Sequence, residues 1–102
     1  MREIVELFRM TLEAEKLVSQ NKIHDAINKY EEIIAFRKHL NNDNTNLALL
    51  HYKKGVLFEQ GKDIESAKKS YQDAMSLLHK SQKTRLYQDL MNKIQGESEK
   101  GL

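Results

Sequence analysis

The side chains best suited to chemistry are four histidines, His24, His39, His51 and His79, and the carboxylate pair Glu31-Glu32. Two helical histidines can hold one metal when three or four residues separate them, because only that spacing puts both rings on one face. Here successive histidines are 15, 12 and 28 residues apart, so no pair meets the condition. All four are expected at the surface or at the edges of elements. Glu31-Glu32 precede Ile33-Ile34 in a periodic stretch that turns the carboxylates to water, so they read as a solvated face and not as a general acid and base. Gly55 and Gly61 stand singly and form no phosphate-cradling loop. No Ser or Thr has a His or Lys partner that the spacing identifies. The expectation is a protein without catalytic residues, metal or cofactor.

Composition narrows the classes further. At 102 residues the chain is one domain, long enough for one continuous core. Apolar residues make up 39%, too many for a disordered chain, and no apolar run approaches the roughly 18 residues of a membrane span. The 17 basic and 15 acidic side chains mix along the whole length for a net charge of +2. A nucleic-acid binder concentrates its cations on one face or tail. Lys53-Lys54, Lys68-Lys69 and the run Lys80, Lys83, Arg85 are short and flanked by acids or amides, which makes them solvated helix surface and disfavours nucleic acid as a partner. The absence of cysteine excludes disulfides and thiolate ligands. The start Met-Arg-Glu returns quickly to Glu6 and Arg9, unlike the apolar run of a signal peptide, and a cytoplasmic location is expected.

The elements that would position any site are helices. The chain has no proline, four glycines and much Ala, Leu, Glu, Lys and Gln. Ile4, Leu7, Thr11, Ala14, Leu17 and Val18 recur at steps of three and four, the stripe of an amphipathic helix. After the polar Ser19-Gln20-Asn21-Lys22, a second stripe runs through Ile23, Ala26, Ile27, Tyr30, Ile33 and Ile34, and so short a joint makes the pair an antiparallel hairpin. The segment 41–46, Asn- and Asp-rich, is the strongest break, and any of Asn44, Thr45 and Asn46 would cap a third helix from Leu47 to Gln60. Gly61 suits the left-handed residue that ends it, and Asp63 the cap of a fourth helix carrying Ile64, Ala67, Tyr71, Ala74, Met75 and Leu78. A fifth stripe, Leu86, Tyr87, Leu90, Met91 and Ile94, fades at Gly96. One domain over 1–95 follows, with hairpins at 1–40 and 45–80, a capping helix at 83–95 and a frayed tail at 96–102.

The two hairpins are near-copies 41 residues apart, placing Ala14, Leu17, Ile23, Ala26 and Tyr30 in register with Gly55, Phe58, Ile64, Ala67 and Tyr71. In these stretches, "AEKLVSQNKIHDAINKYEEII" and "GVLFEQGKDIESAKKSYQDAM", the chain resembles the tetratricopeptide repeat family. That pattern puts small residues where backbones approach closely and aromatics between successive hairpins. The family's period is 34 residues, its proline after the second helix is missing here, and Ile33 is bulkier than the usual alanine. Two other readings cover part of the pattern: a generic five-helix bundle, and a three-helix microtubule-interacting-and-trafficking-like domain that leaves the second hairpin unexplained.

The resemblance implies a short α-solenoid whose first helices line a concave groove at Phe8, Thr11, Glu15, Val18, Leu49, Tyr52, Val56 and Glu59. The Lys and Asn of the family's carboxylate clamp are replaced by Thr11, Glu15, Tyr52 and Val56, so that clamp is absent. A groove of this composition suits an apolar or mildly basic helix or peptide of a partner protein. Leu86, Leu90 and Ile94 would cap the second hairpin, with Lys83, Gln88, Asp89, Asn92 and Lys93 in water. With Ile4 and Leu7 assigned to the buried stripe, Val5 and Phe8 are left over as a contact for another chain, a homodimer included. The function expected is a protein–protein interaction module, an adaptor or scaffold. The alternatives are a small helical chaperone or assembly factor, or a nucleic-acid-associated protein using the basic residues.

Overall fold

The computed structural model describes residues 2–40, 44–78 and 88–94, and within them every regular element is helical, as expected. Helix α1 spans Arg2–Ser19, α2 Ile23–His39, α3 Asn44–Gln60 and α4 Ile64–Ser76, and a further helical stretch covers 88–94. Each helix packs on the next in sequence, α1 on α2, α2 on α3 and α3 on α4. The third helix starts at Asn44, inside the segment expected to cap it. The connector 41–43, His79, Lys83, Leu86, Tyr87 and the tail 96–102 lie outside the described residues.

The 41-residue repeat extends to individual backbone hydrogen bonds. At the end of α1, Asn21 N–H donates to the Val18 carbonyl and Lys22 N–H to that of Leu17; at the end of α3, Lys62 donates to Glu59 and Asp63 to Phe58. These are the paired bonds of a Schellman ending, and its left-handed residue is Asn21 at φ 59° and Lys62 at φ 63°. Gly61 is therefore not the left-handed position; the next residue is, and it carries a full side chain. Asp63 then caps α4 as expected, its carboxylate accepting from Ser66 N–H at 3.2 Å.

The core forms two contiguous clusters. One joins Leu7, Met10 and Ala14 of α1 to Ala26, Ile27, Tyr30, Ile33 and Ile34 of α2 and to Leu47, Leu50 and Leu57 of α3. The other joins Ala48, Ala67, Tyr71, Ala74 and Leu78 to Leu90 from the 88–94 stretch, with Ile94 packed at its edge. Gly55 explains the small residue of the second hairpin. A Cβ there would lie 2.5 Å from the Tyr71 ring, which is fully buried.

Four further positions differ from the sequence reading, one of them Met91, which the periodicity places in the fifth apolar stripe and which is exposed at 36%. Ile4 is 67% exposed, because the buried line of α1 steps through Leu7, Met10 and Ala14, and Ile4 falls beside it with Val5, Phe8 and Leu12. Ile64 at the start of α4 is also exposed. His51 is buried, at the position matching Met10 in the first hairpin, and so is not a surface histidine. His24 and His39 are exposed, as expected.

Helix α3 has two buried faces, one toward α4 and one, carrying Leu47, Leu50 and Leu57, in the cluster shared with α2. Forty-one residues earlier the second face reads Glu6, Arg9 and Lys16. Arg9 is held by Glu6 and Glu13, and Lys29 bridges Glu13 at 3.1 Å and Glu32 at 2.9 Å. The carboxylates on either side raise the pKa of Lys29, Glu32 first and then Glu13. The face that receives a preceding hairpin in the second unit is thus a charged, wetted surface in the first.

Candidate functional site

The eight residues assigned to the groove do not form one continuous site. Val18 of α1 and Tyr52 and Val56 of α3 come together with Tyr30, Lys53, Leu57 and Gln60 around a concavity of about 270 Å³. Phe8 and Thr11 line a second one, about 380 Å³, with Ile4, Leu7, Arg37 and Asn46. Leu49 is half-exposed at 39%, and Glu15 is exposed on α1. No described residue of 88–94 lines either concavity.

Glu59 is withdrawn from the groove. Its carboxylate accepts from the Tyr71 hydroxyl and from Lys93 Nζ, the latter at 3.5 Å, and Lys93 also lies 5.9 Å from the centre of the Tyr71 ring. The expectation that Lys93 simply faces water is corrected accordingly: it ties the 88–94 stretch to α3 and α4. Gln88 and Asn92 are exposed as expected, and Asp89 is half-buried. Tyr52 sits against Tyr71 with ring centres 5.8 Å apart and planes tilted by 52°, which fixes one wall of the smaller concavity.

Electrostatically the groove is sparse. Burial raises the Tyr30 phenol pKa, and the negative charge of Glu15 raises it further; Glu15 itself is not among the residues lining the concavity around Tyr30. Lys53 is the cation lining the same concavity. Thr11 uses its hydroxyl internally, donating to the Leu7 carbonyl at 2.8 Å.

A larger concavity, about 660 Å³, lies on another face of α3, against α2 and α4. Lys54, Lys68 and Lys69 share it with Glu31, Glu65 and Asp73, and Lys54 and Lys69 pair with Glu31 at 3.8 Å and Asp73 at 3.1 Å. Cations balanced in this way make no field of one sign for a phosphate backbone. Near it stands the buried His51, whose Nδ1 has no hydrogen-bond partner. Burial lowers its pKa, and Lys54, Lys38 and Lys69 add to the effect against the opposing charge of Asp73. The histidine spacing gave no hint of this residue. Its repeat counterpart Met10 lies outside the stripe read from the sequence, and only the packing of α1 puts Met10, and with it the matching position of His51, on a buried line.

Among the described residues no group of three His, Asp or Glu side chains could hold a metal ion, and no helix is long and apolar enough to cross a membrane. Val5 and Phe8 are joined in their exposure by Ile4 and Leu12, which widens the apolar ridge beyond the two residues the sequence left over. No protein-family model matches the chain, and neither a curated protein nor a solved structure matches it.

Proposed function

We propose that this chain is a non-catalytic protein–protein interaction module, an adaptor or scaffold whose two hairpins form a short tetratricopeptide-like solenoid. The observation that carries the reading is the apolar concavity between the hairpins, walled by Val18, Tyr30, Tyr52, Val56 and Leu57. A separate exposed apolar ridge of Ile4, Val5, Phe8 and Leu12 stands on α1, and two of its members, Ile4 and Phe8, line the second concavity. Exposed apolar surface of this kind on a chain otherwise rich in charge marks a contact with another protein. The repeated backbone bonds and the matched small residues support the solenoid, and the balanced cations argue against phosphate recognition.

The test is capture of partners by wild type and by Val18→Glu/Val56→Glu, followed by salt titration of the complex. Capture is expected to be lost in the variant while its melting curve stays cooperative, and affinity should change little between about 50 and about 200 mM salt. Undiminished capture by the variant contradicts the groove. A loss of several orders of magnitude in affinity over that salt range would favour the nucleic-acid reading instead.

A second reading rests on the same ridge. A second copy of this chain could cover Val5 and Phe8, in which case sedimentation of wild type would show a dimer that Val5→Lys/Phe8→Lys abolishes. A wild type that stays monomeric at high concentration leaves the ridge to a foreign protein, as an adaptor or an assembly factor would use it.

A further inference from the structure

His51 is a buried ring whose Nδ1 has no hydrogen-bond partner among the described residues, and it stands where the two hairpins meet. Helix α3 enters both core clusters, through Leu47, Leu50 and Leu57 on one side and Ala48 on the other. Between these faces runs a line of α3 carrying His51 and, seven residues on, Phe58, which packs against both clusters. Charged groups act on the ring from each helix of this junction: Lys38 of α2, Lys54 of α3 itself, and Lys69 and Asp73 of α4. Cations predominate, so the surroundings favour a neutral imidazole.

The junction also adjoins open space. The concavity of about 660 Å³ lies along it, lined by Glu31 of α2, Lys54 and Phe58 of α3, and Lys69 and Asp73 of α4. His51 is one turn from Lys54 on the same helix and does not itself line the concavity. A neutral ring can stay behind that wall. An imidazolium needs water or an acceptor at both nitrogens, and the neighbouring lysines offer only more positive charge.

We infer that His51 is a proton-operated catch between the hairpins: protonating its ring opens the α2–α3 joint toward the larger concavity while each hairpin stays folded. A small separation there brings water to the ring and loosens one helix–helix contact, whereas unfolding a hairpin exposes a whole core cluster. The sign follows from burial, which lowers the closed-state pKa below 6.5, with Lys54, Lys38 and Lys69 adding to it against Asp73. The open joint therefore takes up the proton first, and closure holds above about pH 6.5 and weakens as the pH falls toward the depressed value. Val18 and Tyr30 wall the apolar concavity from one hairpin, Tyr52 and Val56 from the other, so its walls part with the joint.

The chain has no cysteine, so introduced cysteines can carry spin labels without competition. A pair at Ala35→Cys of α2 and Gln72→Cys of α4, both exposed, reads the joint; a pair at Lys16→Cys of α1 and Asn28→Cys of α2, also exposed, reads the first hairpin. Across the joint a longer distance should appear below about pH 6.5, its ratio to the closed one rising up to about tenfold per pH unit, the slope of one proton. The pair within the hairpin should not change. His51→Met should abolish the effect, Asp73→Asn should move it to lower pH, and Lys54→Gln should move it to higher pH. A joint distance constant at every pH where the chain stays folded overturns the inference. So does a change that His51→Met retains, a pH profile that Asp73→Asn and Lys54→Gln leave in place, or a loss of both distances at the same pH, which would be unfolding alone.

Discussion

Gly55 and His51 show how single residues set the second hairpin. The Tyr71 ring sits where a Cβ on residue 55 would be, and Tyr71 has no room to move because it is fully buried. Gly55→Ala is therefore expected to destabilise the chain by about 1–3 kcal/mol through overpacking, against the better helix propensity of Ala. Urea denaturation would show it as a lower midpoint at unchanged slope. His51 gives the fold a pH dependence whose sign follows from burial. Its folded pKa lies below the ordinary value of 6.5, so the unfolded chain takes up a proton first as the solution is acidified. The stability this neutral ring contributes is present above about pH 6.5 and is lost as the pH falls from there toward the depressed folded value. His51→Met, which installs the residue used at the matching place in the first hairpin, should flatten the fall in melting temperature between about pH 7.5 and about pH 5.5. A variant that still loses as much as wild type would assign the pH dependence to other groups. Lys62, left-handed without being glycine, adds a local strain that the sequence disguised by placing Gly61 beside it.

Helices were legible because their signal is periodic and repeated. Small residues at Ala14, Gly55, Ala26 and Ala67, the polar joints after Ser19 and Gln60, and the Asp63 cap all fall where the pattern puts them. What periodicity could not resolve was which of two adjacent apolar lines on α1 faces inward. Ile4, Leu7 and Thr11 make one line and Leu7, Met10 and Ala14 another, and only packing against α2 selects the second. The groove was half legible for a related reason. Side chains drawn to it by analogy, such as Glu59, are claimed instead by other partners, here the repeat's own Tyr71 and Lys93 from beyond the repeat. The 88–94 stretch owes its place to Leu90, which is fully buried against Tyr71, Ala74 and Leu78. Leu90→Ala should cost about 2–5 kcal/mol in chemical denaturation, while Met91→Ala, at the exposed flank, should be near neutral. Equal midpoints for the two would mean that this stretch does not dock as described.

At the scale of the described residues, the outer faces of the two hairpins differ. The second hairpin is covered by 88–94, whereas the first presents charge where its counterpart presents Leu47, Leu50 and Leu57. A further hairpin packed there would bury Glu6, Arg9 and Lys16 with their partners, at a desolvation cost that the apolar contacts of the second unit do not face. The exposed residues Ile4, Val5, Phe8 and Leu12 form an apolar ridge on α1, of which Ile4 and Phe8 line a concavity with Asn46 of α3; on the proposed reading this is where another chain would sit. Central to this account is that the face between α1 and α3 is where another protein binds. Amide hydrogen exchange of the chain, free and bound to a captured partner, measures that directly. The account predicts new protection concentrated in 8–18 of α1 and 46–56 of α3, with the outer face of α4 unchanged. Protection confined instead to α4 and to the balanced lysines and carboxylates around Lys54 and Lys69 would contradict it.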